Sequence, residues 1–215
     1  MKAILGYKRG MTQIFTERGE VIPVTVLEAG PCPVVQVKTP EKDGYKAYQL
    51  AYGAVRPKRV AKPQLGHFKK AGLEPYRHLR EIRVLEGEID LKPGDQVTVA
   101  DFQVGELVDV TALSKGRGYQ GTVKRHGFSR GPESHGSMNV RRPGSIGQSS
   151  YPSRVFKGTR MSGHMGNKRI TVKNQKLVLV DPDKNLIAVK GQVPGPVGGL
   201  VILKQAKNPK AKGGA

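Results

Sequence analysis

The chain has 215 residues, with 37 Lys and Arg against 17 Asp and Glu and a formal net charge of +20. A compact fold at that charge repels itself, so a polyanion is expected beside it, nucleic acid first and an anionic membrane surface second. An apolar share of 37% argues against wholesale disorder, and the apolar runs are too short for a membrane span and form no amphipathic basic helix.

The opening "MKAILGYKRGMTQIF" lacks the apolar core and small-residue cleavage site of a secretory signal. "MTQIFTERG" and "GEVIPVTVLEAG" are two apolar runs around a Gly-containing turn, which predicts a hairpin. The single cysteine, Cys32, sits in "PCP" and has no partner for an internal disulfide. It reads as a small buried apolar residue in a reducing cytoplasm rather than as a nucleophile. "PVVQVKT", "YKAYQLAYG", "LREIRVLE", "DQVTVADF" and "ELVDVTAL" add short strands, and only "GHFKKAGLEP" suggests a helical turn. Beyond a long basic stretch come "RITVKN" and the hairpin "KLVLVDPDKNLIAVKG", two β-branched runs around "DPDKN". "GGLVILKQ" is the last strand, and residues 208–215 have the composition of a flexible basic tail. Many short strands with turn signals between them predict a mainly β chain, a barrel or a sandwich.

Charge divides this β-rich chain. Residues 1–113 carry 17 basic and 14 acidic residues, residues 114–176 carry 14 and one, and residues 177–215 carry six and two. The middle reads as a binding device set into ordinary protein. From Ser114 to Gly166 there are 11 glycines and almost no aliphatic pairs, so this stretch cannot bury a core of its own. A structureless connection of that length belongs in a compact domain only if it is functional. The expected organisation is a discontinuous barrel domain from residues 1–118 and 167–207, with 119–166 an extended loop that orders when its partner surrounds it.

The composition of the loop selects the partner. Lys and Arg neutralise phosphates, Gly lets the backbone approach them, and Arg also stacks on unpaired bases. A regular DNA groove usually receives a helix or a two-stranded ribbon, which this segment does not offer. The irregular interior of a folded RNA suits it better. The phosphate-contact candidates are Lys115, Arg117, Lys124, Arg125, Arg130, Arg141, Arg142, Arg154, Lys157, Arg160, Lys168 and Arg169. Glu133 is the only acidic residue among residues 114–176, so a merely solvated basic face is the weaker reading. His126, His135 and His164 match no metal-ligand spacing, and with so few acids there is no metal-assisted or Ser/His/Asp chemistry to expect. No cofactor, small-molecule substrate or membrane is expected.

"FQVGELVDVTALSKGRGYQGTVKR", residues 102–125, closely resembles the signature of the bacterial uL3 family of large-subunit ribosomal proteins. The matching pieces are Phe102, Asp109, Ala112, Ser114, Gly116, Arg117, Gly118, Gly121 and Arg125. "GYKRGMTQIF", "GHFKKAG", "RRPGSIGQSSYPSRVFKG" and "MSGHMGNKRITV" extend the resemblance along nearly the whole chain. It implies a translation-factor-like β-barrel and a basic extension threading through RNA towards the peptidyl transferase centre. It implies direct binding of 23S rRNA near its 3′ end, early nucleation of subunit assembly, and contact with the fourteenth and nineteenth large-subunit proteins. It marks Gln148 as a candidate for N5-methylation. One departure stands out: His126 occupies a position where many bacterial members carry Trp.

Overall fold

A computed structural model describes residues 2–84 and 89–207; the basic tail expected at 208–215 lies outside the described residues. In chain order the strands are β1 (Ala3–Phe15), β2 (Val21–Ala29), β3 (Cys32–Lys38), β4 (Ala47–Ala54), β5 (Tyr76–Arg83), β6 (Gln96–Val97), β7 (Leu107–Leu113), β8 (Tyr119–Gln120), β9 (Gly163–His164), β10 (Arg169–Asp181), β11 (Leu186–Lys190) and β12 (Leu200–Gln205). The helices are α1 (Pro40–Asp43), α2 (Lys62–Lys70) and α3 (Thr122–His126), with 3₁₀ turns at Pro57–Arg59 and Val99–Asp101. The described residues form two compact units, 2–113 with 169–207, and 114–168.

In the first unit six strands close a barrel in the order β1, β12, β7, β10, β11, β2. Alternation drives it: Val108 and Val110 on β7, Leu27 on β2, Ile187 and Val189 on β11, and Val201 and Leu203 on β12 bury one face in a common core. Each such side chain contributes roughly 1.5–3 kcal/mol on burial. The hairpin expected at "DPDKN" joins β10 to β11, with the Asp181 carboxylate accepting from the Lys184 amide at 3.2 Å. "RITVKN" and "KLVLVD" are one strand rather than two. Asn174, at φ 53°, bends β10 through a register shift, and its amide donates to Asp109 at 2.9 Å.

The remaining strands of this unit lie outside the barrel. They make a four-stranded sheet, β5-β4-β3-β6. One face, with Val34, Tyr48, Leu50, Tyr52 and Ile82, joins the barrel core. Tyr52 packs its ring 4.9 Å from Tyr7 and donates to the Glu28 carbonyl at 3.0 Å. Cys32 is fully buried and points its thiol at the Leu5 carbonyl, 3.4 Å away, as expected of a small apolar residue. The other face, with Val35 and Ala51, is covered by Phe68 of α2.

Two more local expectations are corrected. "DQVTVADF" is a strand for only two residues: the Asp101 carboxylate accepts the Thr98 amide at 2.9 Å, and this capping box turns the chain into a 3₁₀ helix. "GHFKKAGLEP" is not the only helical stretch, since α2 begins earlier, at Lys62, and α1 and α3 also form. Pro40 and Gly44, at φ 79°, start and stop α1. Among the described residues no helix is long and apolar enough to cross a membrane.

Candidate nucleic-acid interface

The second unit, 114–168, is held at its base by backbone. The Ser114 amide donates to Lys168 at 2.9 Å, the Lys168 amide returns to the Ser114 hydroxyl at 3.2 Å, and Arg117 and Gly118 pair with Met165, each at 2.9 Å. Strands β8 and β9 continue this as a two-residue ladder, and the Tyr119 and Ser162 hydroxyls meet at 2.7 Å. Gly166, at φ 77°, sits where an added Cβ would press into the Lys115 carbonyl, so the base needs glycine there.

The short helix α3 follows, closed by Gly127 at φ 73°. It directs Arg125 and His126 at one acceptor: their side-chain nitrogens lie 2.6 and 2.9 Å from the Met161 carbonyl. Gly163 lets the Arg125 guanidinium lie flat, because a Cβ there would come within 2.6 Å of it. Arg125 is thus half-buried and tied to backbone, with other N–H groups left over, while Arg130 is ion-paired with Glu133. The other ten candidates, Lys115, Arg117, Lys124, Arg141, Arg142, Arg154, Lys157, Arg160, Lys168 and Arg169, are exposed. Arg169 belongs to the first unit, on β10.

Thr122 is the one buried side chain in the unit. A segment without a core leaves its aromatic groups outside: Tyr119, Tyr151 and Phe156 are exposed, and the Arg154 guanidinium lies 5.9 Å from the Phe156 ring centroid. An open groove of about 450 Å³ is lined by Gly144–Gln148 together with Arg154 and Val155. Gln148 is exposed on that groove. The sequence pattern of cations singled out none of these exposed rings. Their signal was local: tyrosine and phenylalanine among Gly, Ser and Arg, with Val155 the only aliphatic residue within two positions of them. Rings of this kind can stack on unpaired bases, while the cations around them bind phosphates. Among the described residues no group of three or more His, Cys, Asp or Glu could hold a metal ion.

The family model described as Ribosomal protein L3 matches residues 90–185. A large ribosomal subunit protein uL3 from Pelotomaculum thermopropionicum is 56% identical over 212 residues, 99% of either chain. The uL3 proteins of Corynebacterium jeikeium and Brachyspira pilosicoli are 53% and 52% identical, over 100% and 99% of this chain and 97% of their own. With its full length matched at that level and its own signature in place, the chain belongs to the uL3 family of ribosomal proteins.

Proposed function

We propose that the protein is a structural constituent of the large ribosomal subunit that binds 23S rRNA directly through residues 114–168. The family is a structural component of the ribosome, not an enzyme. The observation that carries the RNA-binding reading is the combination found in this unit: eleven basic residues against one acidic, and a single buried side chain. Such a segment gains little from packing on itself and much from packed phosphates around it.

In this reading 119–166 is the part that enters RNA crevices towards the peptidyl transferase centre, and the barrel anchors it. Binding near the 3′ end of the RNA would begin subunit assembly early, with the fourteenth and nineteenth large-subunit proteins as neighbours. The place of action is the ribosome, in the cytoplasm. The exposure of Gln148 on an open groove supports its role as a substrate for N5-methylation before the RNA closes over it.

The test is affinity for the isolated 3′-terminal region of large-subunit rRNA against duplex DNA of equal length, across a salt series. The RNA should bind much more tightly at every salt concentration, and Arg141→Ala with Arg142→Ala should flatten the salt slope by about 1.5. Equal RNA and DNA affinities would overturn the proposal. An unchanged slope would remove these two arginines from the phosphate contacts.

A further inference from the structure

We infer that the connection between β4 and β5 is a second RNA-binding surface, rigid and separate in sequence from 114–168; this rests on the RNA-binding reading above. Ala54 pairs directly with Tyr76, so β4 and β5 are antiparallel neighbours. Such neighbours need only two to five residues to join them. Here 21 residues intervene, 55–75, with six basic and one acidic among them. The sheet does not require this excursion, and its composition resembles that of the central unit.

The near balance of charge over residues 1–113 conceals this. Residues 54–83 hold nine basic and two acidic residues, and residues 84–113 hold one and seven. The average is small because two opposite segments cancel.

Packing makes the basic segment a fixed surface rather than a loose loop. Phe68 is buried against Val35 and Ala51 on the outer face of the four-stranded sheet. His67 bonds Gln49 at 2.6 Å. At 100° per residue, Lys62, Gly66, Lys69 and Lys70 fall within an arc of about 100° on α2, on the side away from the buried Phe68. All four are exposed, as are Arg56, Lys58 and Arg59 just before the helix. Gly66 has open space above its Cα, so nothing bulky stands between the lysines. None of these six cations makes an ion pair with a described residue. A row of uncompensated cations on a helix pinned at its back suits the regular phosphate spacing of an RNA strand.

The experiment uses the full chain and the same 3′-terminal rRNA region. Lys62→Ala/Lys69→Ala/Lys70→Ala keeps helix-forming residues on α2, so its thermal melt should match wild type. Its salt slope should fall by about 2, so that from 50 to 200 mM salt it loses roughly 16-fold less affinity than wild type. The triple Lys→Arg variant should keep the wild-type slope. Adding Arg141→Ala/Arg142→Ala should lower the slope further by an independent amount. An unchanged slope in the Ala variant, with wild type still preferring RNA to DNA, overturns the second surface and leaves the proposed function standing. If that unchanged slope comes with failure to enter subunits, the face belongs to a protein partner, and the RNA surface is likewise overturned. Loss of RNA preference in wild type overturns both.

Discussion

Replacing Gly166 by alanine should loosen the base of the second unit while sparing the first. At φ 77° a Cβ costs roughly 1–2 kcal/mol on conformation alone. That Cβ would also press into the Lys115 carbonyl and stand 3.0 Å from Gly116 Cα, both backbone, so no side chain can swing aside. Relief means parting the two strands of the base, where Arg117 and Met165 each donate a hydrogen bond at 2.9 Å. Two such bonds are worth about 1 kcal/mol each. Together the local cost is about 3–4 kcal/mol. At tenfold per 1.4 kcal/mol, the base should open a hundredfold or more as often. Native-state amide exchange at Ser114 and Arg117 reads this directly. Gly116→Ala is the control, since its Cβ would meet only Asn167 Cβ, at an ordinary 3.7 Å. Amides of β7 and β11 should keep wild-type rates in both variants. Equal exchange at Ser114 and Arg117 in the two variants would refute the reasoning.

Phe68→Ala should cost about 3–5 kcal/mol, because Phe68 supplies most of the small cluster under α2, whereas Phe68→Leu should cost far less; urea midpoints that shift alike would rule this out. Burial pushes the Cys32 thiol up to about 12, so at pH 8 it stays protonated. It should resist a thiol reagent in the native protein and react readily in denaturant, and similar rates in both would contradict the buried site. The Glu81 carboxylate sits 2.7 Å from the Lys38 ammonium and accepts from the Tyr45 hydroxyl at 2.9 Å, which hold it below the usual carboxylate range. Its stabilisation is present above an unfolded value of about 4.3 and is lost as pH falls through the lower folded value. Between pH 6 and pH 3, Lys38→Met should therefore lose less of its melting temperature than wild type does, and equal losses would show that the pair is not coupled to folding.

Several of these features could be read in the sequence, and the reasons differ. The β10–β11 hairpin was legible because "DPDKN" combines a proline, two aspartates and an asparagine between β-branched runs, and Asn185 takes the positive φ, 54°, that such a turn needs. Strand β7 was legible as a short apolar run rich in β-branched residues, although its burial does not alternate throughout, Val110, Thr111 and Ala112 all being buried. Which sheet a strand joins was not: Val34 and Val35 are both buried, one towards the barrel and one towards α2, and alternation does not say what lies on either side. Helices α1 and α3, of four and five residues, are too short to show a 3.6-residue period. In the candidate interface the basic residues were legible as a group. The turning of Arg125 onto Met161 was not, since it depends on a glycine 38 positions away, Gly163, leaving room for it.

The closure of the barrel also bears on the order in which the protein is made. Strand β1 pairs with β12, Ala3 opposite Lys204, and β12 pairs on its other edge with β7. During synthesis the first strand leaves the ribosome with β2 as its only barrel neighbour and waits for residues 200–205 to fill its other edge. The basic unit, residues 114–168, is synthesised before that strand. A nascent chain can therefore expose its full charge to nearby RNA while its barrel is still open, and shortening β12 by a few residues leaves two strand edges unpaired at once, a pairing hazard with other chains.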